Sequence, residues 1–186
     1  MERIFAVGDV HGCRSRLEEL LGRLDLDPET DSVVFIGDYI DRGPDSRGVV
    51  EAVLDLRRRI PRVHCLTGNH ERMFLDFLED PGAAVVFLAN GGAATLRSYG
   101  FRREDQPGMD ALPEEHRQFF ASLVLLHETE RHIFVHAGLR PGVPLARQDP
   151  WDLLWIRHEF IRSFAPFGKI VVFGHTPFRE PFVDGI

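Results

Sequence analysis

Five short polar motifs punctuate this chain, and each closes an apolar run rich in β-branched or aromatic residues. They are Gly8-Asp9-Val10-His11-Gly12, Gly37-Asp38-Tyr39-Ile40-Asp41-Arg42-Gly43, Gly68-Asn69-His70-Glu71, His136-Ala137-Gly138 and Gly174-His175-Thr176. Strand-like runs at 3–7, 32–36, 62–66, 132–135 and 170–173 precede them. Helical stripes lie between the strands: Leu17, Leu20, Leu21 and Leu24, then Val49, Val50, Val53 and Leu54, then Met73, Phe74, Phe77 and Leu78. Alternating strands and helices predict an α/β fold with helices on the faces of a sheet. In such folds polar residues at strand ends gather at one edge, outside the carboxyl ends of the strands. Flanking glycines permit the tight turns this requires. Donors spread from Asp9 to His175 are thus expected to converge.

The converging groups are carboxylate, carboxamide and imidazole. Mixed oxygen and imidazole donors suit divalent ions such as manganese, whereas thiolates select zinc or iron–sulfur. There are enough of them for two ions, a set suited to hydrolytic phosphorus chemistry. In order and spacing the five motifs resemble the calcineurin-like metallophosphoesterases, and within them the serine/threonine phosphoprotein phosphatases and their bacterial relatives. The resemblance runs from Phe5 to Thr176. It implies a metallophosphoesterase-type sandwich, a mixed β-sheet core of two packed sheets flanked by helices.

The same resemblance assigns roles. Asp9 and His11 hold one metal, Asn69, His136 and His175 hold the other, and Asp38 bridges both. The ions are manganese, with iron, zinc or nickel as alternatives. A bridging hydroxide attacks phosphorus directly, with no phosphoenzyme. His70 is the general acid, and Asp41 accepts from its other ring nitrogen. Arg42, Asn69 and Arg157, which follows Leu154-Trp155-Ile156, bind phosphate. The Arg57-Arg58-Arg59 run reads as a solvated helix end, and Trp151 and Trp155 as packing residues, not a base-stacking platform.

Composition sets the limits. At 186 residues and 21.2 kDa the chain is most simply one domain. A net charge of −7 leaves no basic field for nucleic acid or an anionic membrane. Cys13 and Cys65 make no disulfide framework. No apolar run approaches the roughly 18 residues of a membrane span, and a cytoplasmic enzyme is expected. Residues 81–126 break the alternation and read as a mostly helical insertion, either a cap over the site or a packing element. The resemblance implies a further strand after Thr176, but the sequence closes with Phe182-Val183-Asp184-Gly185-Ile186 about where it should start, so that strand is expected to be missing.

The expected substrate is a phosphorylated protein or small phosphate ester. Glu71 and the Tyr39-Ile40-Asp41 form favour a protein phosphatase over the related symmetrical diadenosine tetraphosphate hydrolases, which tend to carry Asp at the Glu71 position. A catalytically dead phosphoprotein-binding module is a third reading, disfavoured by the complete donor set.

Overall fold

The structure is a computed structural model that describes residues 3–183. Asp184, Gly185 and Ile186, about where the family strand expected to be missing would start, lie outside the described residues. Two three-stranded sheets form the centre. The first is wholly parallel, ordered β1 (Ile4–Val7), β2 (Ser32–Phe35), β3 (Val63–Cys65). The second is mixed: β4 (Leu126–Glu128) runs antiparallel to β5 (His132–Val135), and β6 (Ile170–Val172) runs parallel to β5. The expectation of a mixed β-sheet core of two packed sheets flanked by helices is met.

The strand period of two dictates the layering. In β2, Val33 and Phe35 point into the helical layer, while Val34 and the following Ile36 meet Phe134 between the sheets. Phe134 alternates in turn with Ile133 and Val135, which face a separate apolar cluster against α7 (Pro150–Trp155) and α8 (His158–Ile161). Every residue of β2 is buried, as expected of a strand covered on both faces.

The first sheet's outer face carries α1 (Arg14–Arg23), α2 (Ser46–Arg59) and α3 (Asn69–Glu79). Val49, Val50 and Val53 are fully buried, and Met73, Phe74, Phe77 and Leu78 are buried as well. The α1 stripe is thinner than its spacing suggests: Leu17 is buried, but Leu20 is exposed. Arg57, Arg58 and Arg59 form the exposed last turn of α2, where cations suit the carbonyl end. Beyond α3 come α4 (Ala84–Ala89), α5 (Gly92–Ser98) and α6 (Glu114–Ala121). Phe87, Leu96, Phe119 and Phe120 sink from them into the same core as α2 and α3. After α6 the chain bridges from Val124 to Leu66 beside β3, then enters β4, linking the two sheets.

Two histidines close one side of the inter-sheet layer. His64 is in register with Val34 and His127 with Phe134. Their rings stack with centroids 3.8 Å apart and 18° between planes. Burial lowers the pKa of both, and the neighbouring His64 charge lowers His127 further. The unfolded chain therefore binds more protons here than the native one just below pH 6.5. The pair's contribution is full above that pH and declines as pH falls towards the depressed native values. Thermal melts at about pH 7.5 and about pH 5.5 should show a drop that shrinks in the His64→Phe/His127→Phe variant, which keeps an aromatic stack. An undiminished drop would remove this pair as a source of acid sensitivity.

Candidate metal centre

All five motifs meet at the carboxyl ends of β1, β2, β3, β5 and β6. Backbone hydrogen bonds bind the loops to one another. Val10 and His11 N–H groups both donate to the Asp38 carbonyl at 2.9 Å, Gly12 N donates to Tyr39 O at 2.8 Å, and Gly174 N donates to His136 O at 2.8 Å. The turns are tight enough to force unusual dihedrals. Among the described residues the non-glycines with positive φ are His11, Asp38, Asp41, Arg42 and His175, every one a predicted site residue. Left-handed backbone is costly outside glycine and concentrates where surrounding structure imposes it. Gly37 sits at φ +100°, and a Cβ there would come within 2.5 Å of Gly68 N, so only glycine lets the second and third motifs touch.

Asp38 lies where two donor groups overlap. One comprises His11, Asp38 and His70, the other Asp38, His136 and His175, and within each the donor atoms lie within 4.8 Å of one another. His11 Nε2 is 3.5 Å from Asp38 Oδ2, and His136 Nε2 is 3.5 Å from Asp38 Oδ1. Each carboxylate oxygen thus faces its own imidazole. Asn69 joins the second group, with Oδ1 2.9 Å from His136 Nε2 and 3.0 Å from His175 Nδ1. The Asp9 carboxylate accepts from the His175 N–H at 3.2 Å. It thereby joins the first motif to the last.

The ring nitrogens are oriented from behind. His11 Nδ1 donates to Ile40 O and His136 Nδ1 to Ile36 O, both at 2.9 Å, which turns each Nε2 lone pair towards Asp38, as metal-ligating histidines require. Burial lowers the pKa of His11 and His136. Burial, with the charges of His136 and Arg157, takes His175 down to about 3. All three imidazoles are therefore neutral at physiological pH, the state a metal needs. Asp38 is pushed up to about 7, by burial first and with Asp9 adding to it. A carboxylate so deprived of water is stabilised by a cation. His136 Nε2 and Asn69 Oδ1 face each other as two lone-pair atoms, a contact that a divalent ion reconciles. The donor set fits two divalent ions.

A second buried unit adjoins the first. His70 Nδ1 donates to Asp41 Oδ2 at 2.7 Å, and Thr95 Oγ1 donates to Asp41 Oδ1 at 2.6 Å. The Asp41 N–H in turn donates to Ser46 Oγ at 3.0 Å and Thr95 Oγ1 at 2.9 Å. Burial opposes charge on His70, but the Asp41 hydrogen bond and the Asp38, Asp41 and Glu71 charges outweigh it, and the net shift is upward. Arg42 forks over both units, with Nη1 on His11 Nε2 at 2.9 Å and Nη2 on His70 Nε2 at 3.0 Å. Arg157 Nε donates to His175 Nε2 at 3.0 Å from the opposite side. Every residue proposed from the sequence is thus in or beside one cluster. Cys13 stands at the start of α1 without a partner role, half-buried.

Sequence reading passed over Thr95, Ser46 and the work of Glu71. Glu71 is fully buried, and its carboxylate accepts from the N–H groups of Asp38, Tyr39 and Gly68, each at 2.8 Å, with Ile40 N at 3.4 Å. It ties the strained Asp38 turn to α3. A Glu at the third position of a helix is a capping signal in sequence, which hinted at this clamp. Nothing in the sequence pointed to Thr95.

A family model for calcineurin-like phosphoesterases matches residues 2–185. The chain belongs to that family, a group of metal-dependent phosphoesterases. It is 32% identical to serine/threonine-protein phosphatase 1 of Salmonella typhimurium, over 95% of this chain and 80% of that one. It is 26% identical to an asymmetrical bis(5'-nucleosyl)-tetraphosphatase of Bacillus cereus, over 94% of this chain and 79% of the relative. A symmetrical bis(5'-nucleosyl)-tetraphosphatase of Nitrosospira multiformis is 33% identical, but the match spans 75% of this chain and only 44% of that enzyme. In fold the chain resembles a crystal structure proposed to be a diadenosine tetraphosphatase, at TM-score 0.67 and 24% identity, over 94% of this chain and 75% of the other. Among the described residues, no helix is long and apolar enough to cross a membrane.

Proposed function

We propose that this protein is a dinuclear-metal-dependent phosphomonoester hydrolase acting on phosphoserine and phosphothreonine in proteins. The observation that carries the reading is Asp38, one carboxylate shared by two donor groups. Asp9, His11 and Asp38 would hold one ion, and Asp38, Asn69, His136 and His175 the other, with manganese the ion used and iron, zinc or nickel able to replace it. Two such ions, when bound, acidify a water and offset the charge of phosphate oxygens. Arg42 and Arg157 stand exposed at opposite sides of the cluster and would grip phosphate oxygens through their N–H forks, assisted by the Asn69 amide. His70 would give a proton to the leaving oxygen from Nε2, while Asp41, locked by Thr95 and Ser46, holds Nδ1 and favours the protonated ring. The 32% identity to a serine/threonine-protein phosphatase across most of both chains supports this substrate class. Hydrolysis of diadenosine tetraphosphate is the second reading, favoured by the tetraphosphatase relatives and by an aromatic feature beside His175 described below.

Phosphate release from phosphoserine peptides, 4-nitrophenyl phosphate and diadenosine tetraphosphate, with and without manganese, tests the assignment. Manganese should stimulate turnover of the peptide, and a chelator should abolish it. His70→Asn should keep its metal content yet lose on the order of 100-fold on phosphoserine. Its loss on 4-nitrophenyl phosphate should be much smaller, because that leaving group departs without a proton. Equal losses on the two substrates would remove His70 as the acid, and a peptide left uncut while dinucleotide is cleaved would reverse the order of the two readings.

A further inference from the structure

Helix α7 places Trp151 and Trp155 four residues apart, on one helical face. Their indoles stack, with centroids 5.3 Å apart and 23° between planes. The inner ring, Trp155, meets the His175 imidazole edge-to-face at 6.1 Å and packs against the helical-layer core. The outer ring, Trp151, is 67% exposed. This corrects the reading of both as packing residues: Trp155 packs, and Trp151 does not. Its backbone is nonetheless held firmly, since Pro150 opens the helix and Asp149 Oδ1 accepts from Trp151 N at 2.8 Å. A packing tryptophan gives its ring faces to the interior, whereas here a rigid stack starts at a donor of the metal centre and ends on an open indole.

We propose that the Trp151–Trp155 stack is a subsite for the nucleobase of a nucleoside polyphosphate substrate, at the His175 end of the centre. The inference rests on the reading of the centre as a two-metal phosphoesterase. Reach selects the ligand. Trp151 lies one edge-to-face contact and one ring stack beyond His175, farther than the short side chain of a phosphoserine extends from a phosphorus at the metals. A phosphotyrosine ring, bonded directly to the phosphate oxygen, falls short as well. A base separated from the scissile phosphorus by ribose and further phosphate spans that gap. Arg157, which donates to the same His175 ring that Trp155 meets, would meet the intervening phosphate charge. Stacking of a base on an indole is tolerant of base identity and contributes on the order of 10-fold or more in affinity.

The test compares wild type, Trp151→Ala and Trp151→Phe as full-length, manganese-loaded protein. Relative to wild type, W151A should lose at least about tenfold more kcat/KM on diadenosine tetraphosphate than on 4-nitrophenyl phosphate, through KM rather than kcat. W151F should recover most of the difference. Adenosine 5'-monophosphate should quench the wild-type tryptophan fluorescence, and calorimetry should find its affinity reduced about tenfold in W151A. Equal losses on both substrates, absent quenching, or a selective loss confined to phosphopeptides with aromatic flanks would each overturn the proposal. Should no substrate be cleaved under any metal, the hydrolase reading fails separately, and the nucleotide calorimetry still decides the subsite.

Discussion

Asp38→Asn should cost the enzyme more than about 100-fold in turnover and should lower its bound metal at the same time. The scale follows from comparison: partners that merely orient a ligand are worth about 10–100-fold in metal affinity or activity, and Asp38 faces an imidazole with each of its own oxygens. Asparagine keeps the size of the side chain but replaces one of those oxygens with an N–H donor and removes the charge. It also keeps the capacity of a short polar side chain to tolerate left-handed backbone, here φ +53°. Loss of fold is therefore not the expected cause. Metal stoichiometry by atomic emission, alongside turnover at saturating manganese, checks this. A variant within threefold of wild type would refute the shared-ligand role.

Glu71→Gln should produce the largest loss of stability. The wild-type carboxylate satisfies four buried backbone N–H groups, while burial and the Asp38 charge push its pKa upward and the N–H groups of Gly68 and Asp38 oppose the shift. A glutamine amide offers one oxygen and turns N–H groups towards the other donors. Each buried donor left without an acceptor costs about 1–3 kcal/mol, so a fall in Tm on the order of 10 °C is expected. Because the clamp holds the Asp38 turn against α3, metal affinity should fall with it. Glu71→Asp retains the charge but withdraws it by one methylene, and should lie between wild type and Gln in both readouts. A Gln variant that melts within about 2 °C of wild type would show that the four N–H groups find other acceptors.

Much of this arrangement was legible before folding because strand ends and glycine punctuate the chain wherever a donor stands. The β1, β2 and β5 runs carry enough β-branched and aromatic residues to be read to within a residue of their ends. The α2 and α3 stripes were equally plain, since nearly every apolar position on them is buried. The weaker places have local causes. β4 is a three-residue Leu-His-Glu segment, with no propensity of its own, that exists because β5 offers it an antiparallel edge. Leu20 continues the α1 stripe in sequence but lies past the rim of the core.

The glycine-flanked polar motifs at strand ends were enough to say which side chains should converge, and the family resemblance that the five motifs carry supplied the ligand roles proposed for them. Folding settled what depends on distance between remote segments. It brought Thr95 from α5 onto Asp41, set the Asp9 carboxylate against the His175 backbone, and turned Trp151 outward while Trp155 turned in. Such pairings arise from how layers stack and how far a turn is strained, and those are properties of packed geometry that no local stretch of residues encodes.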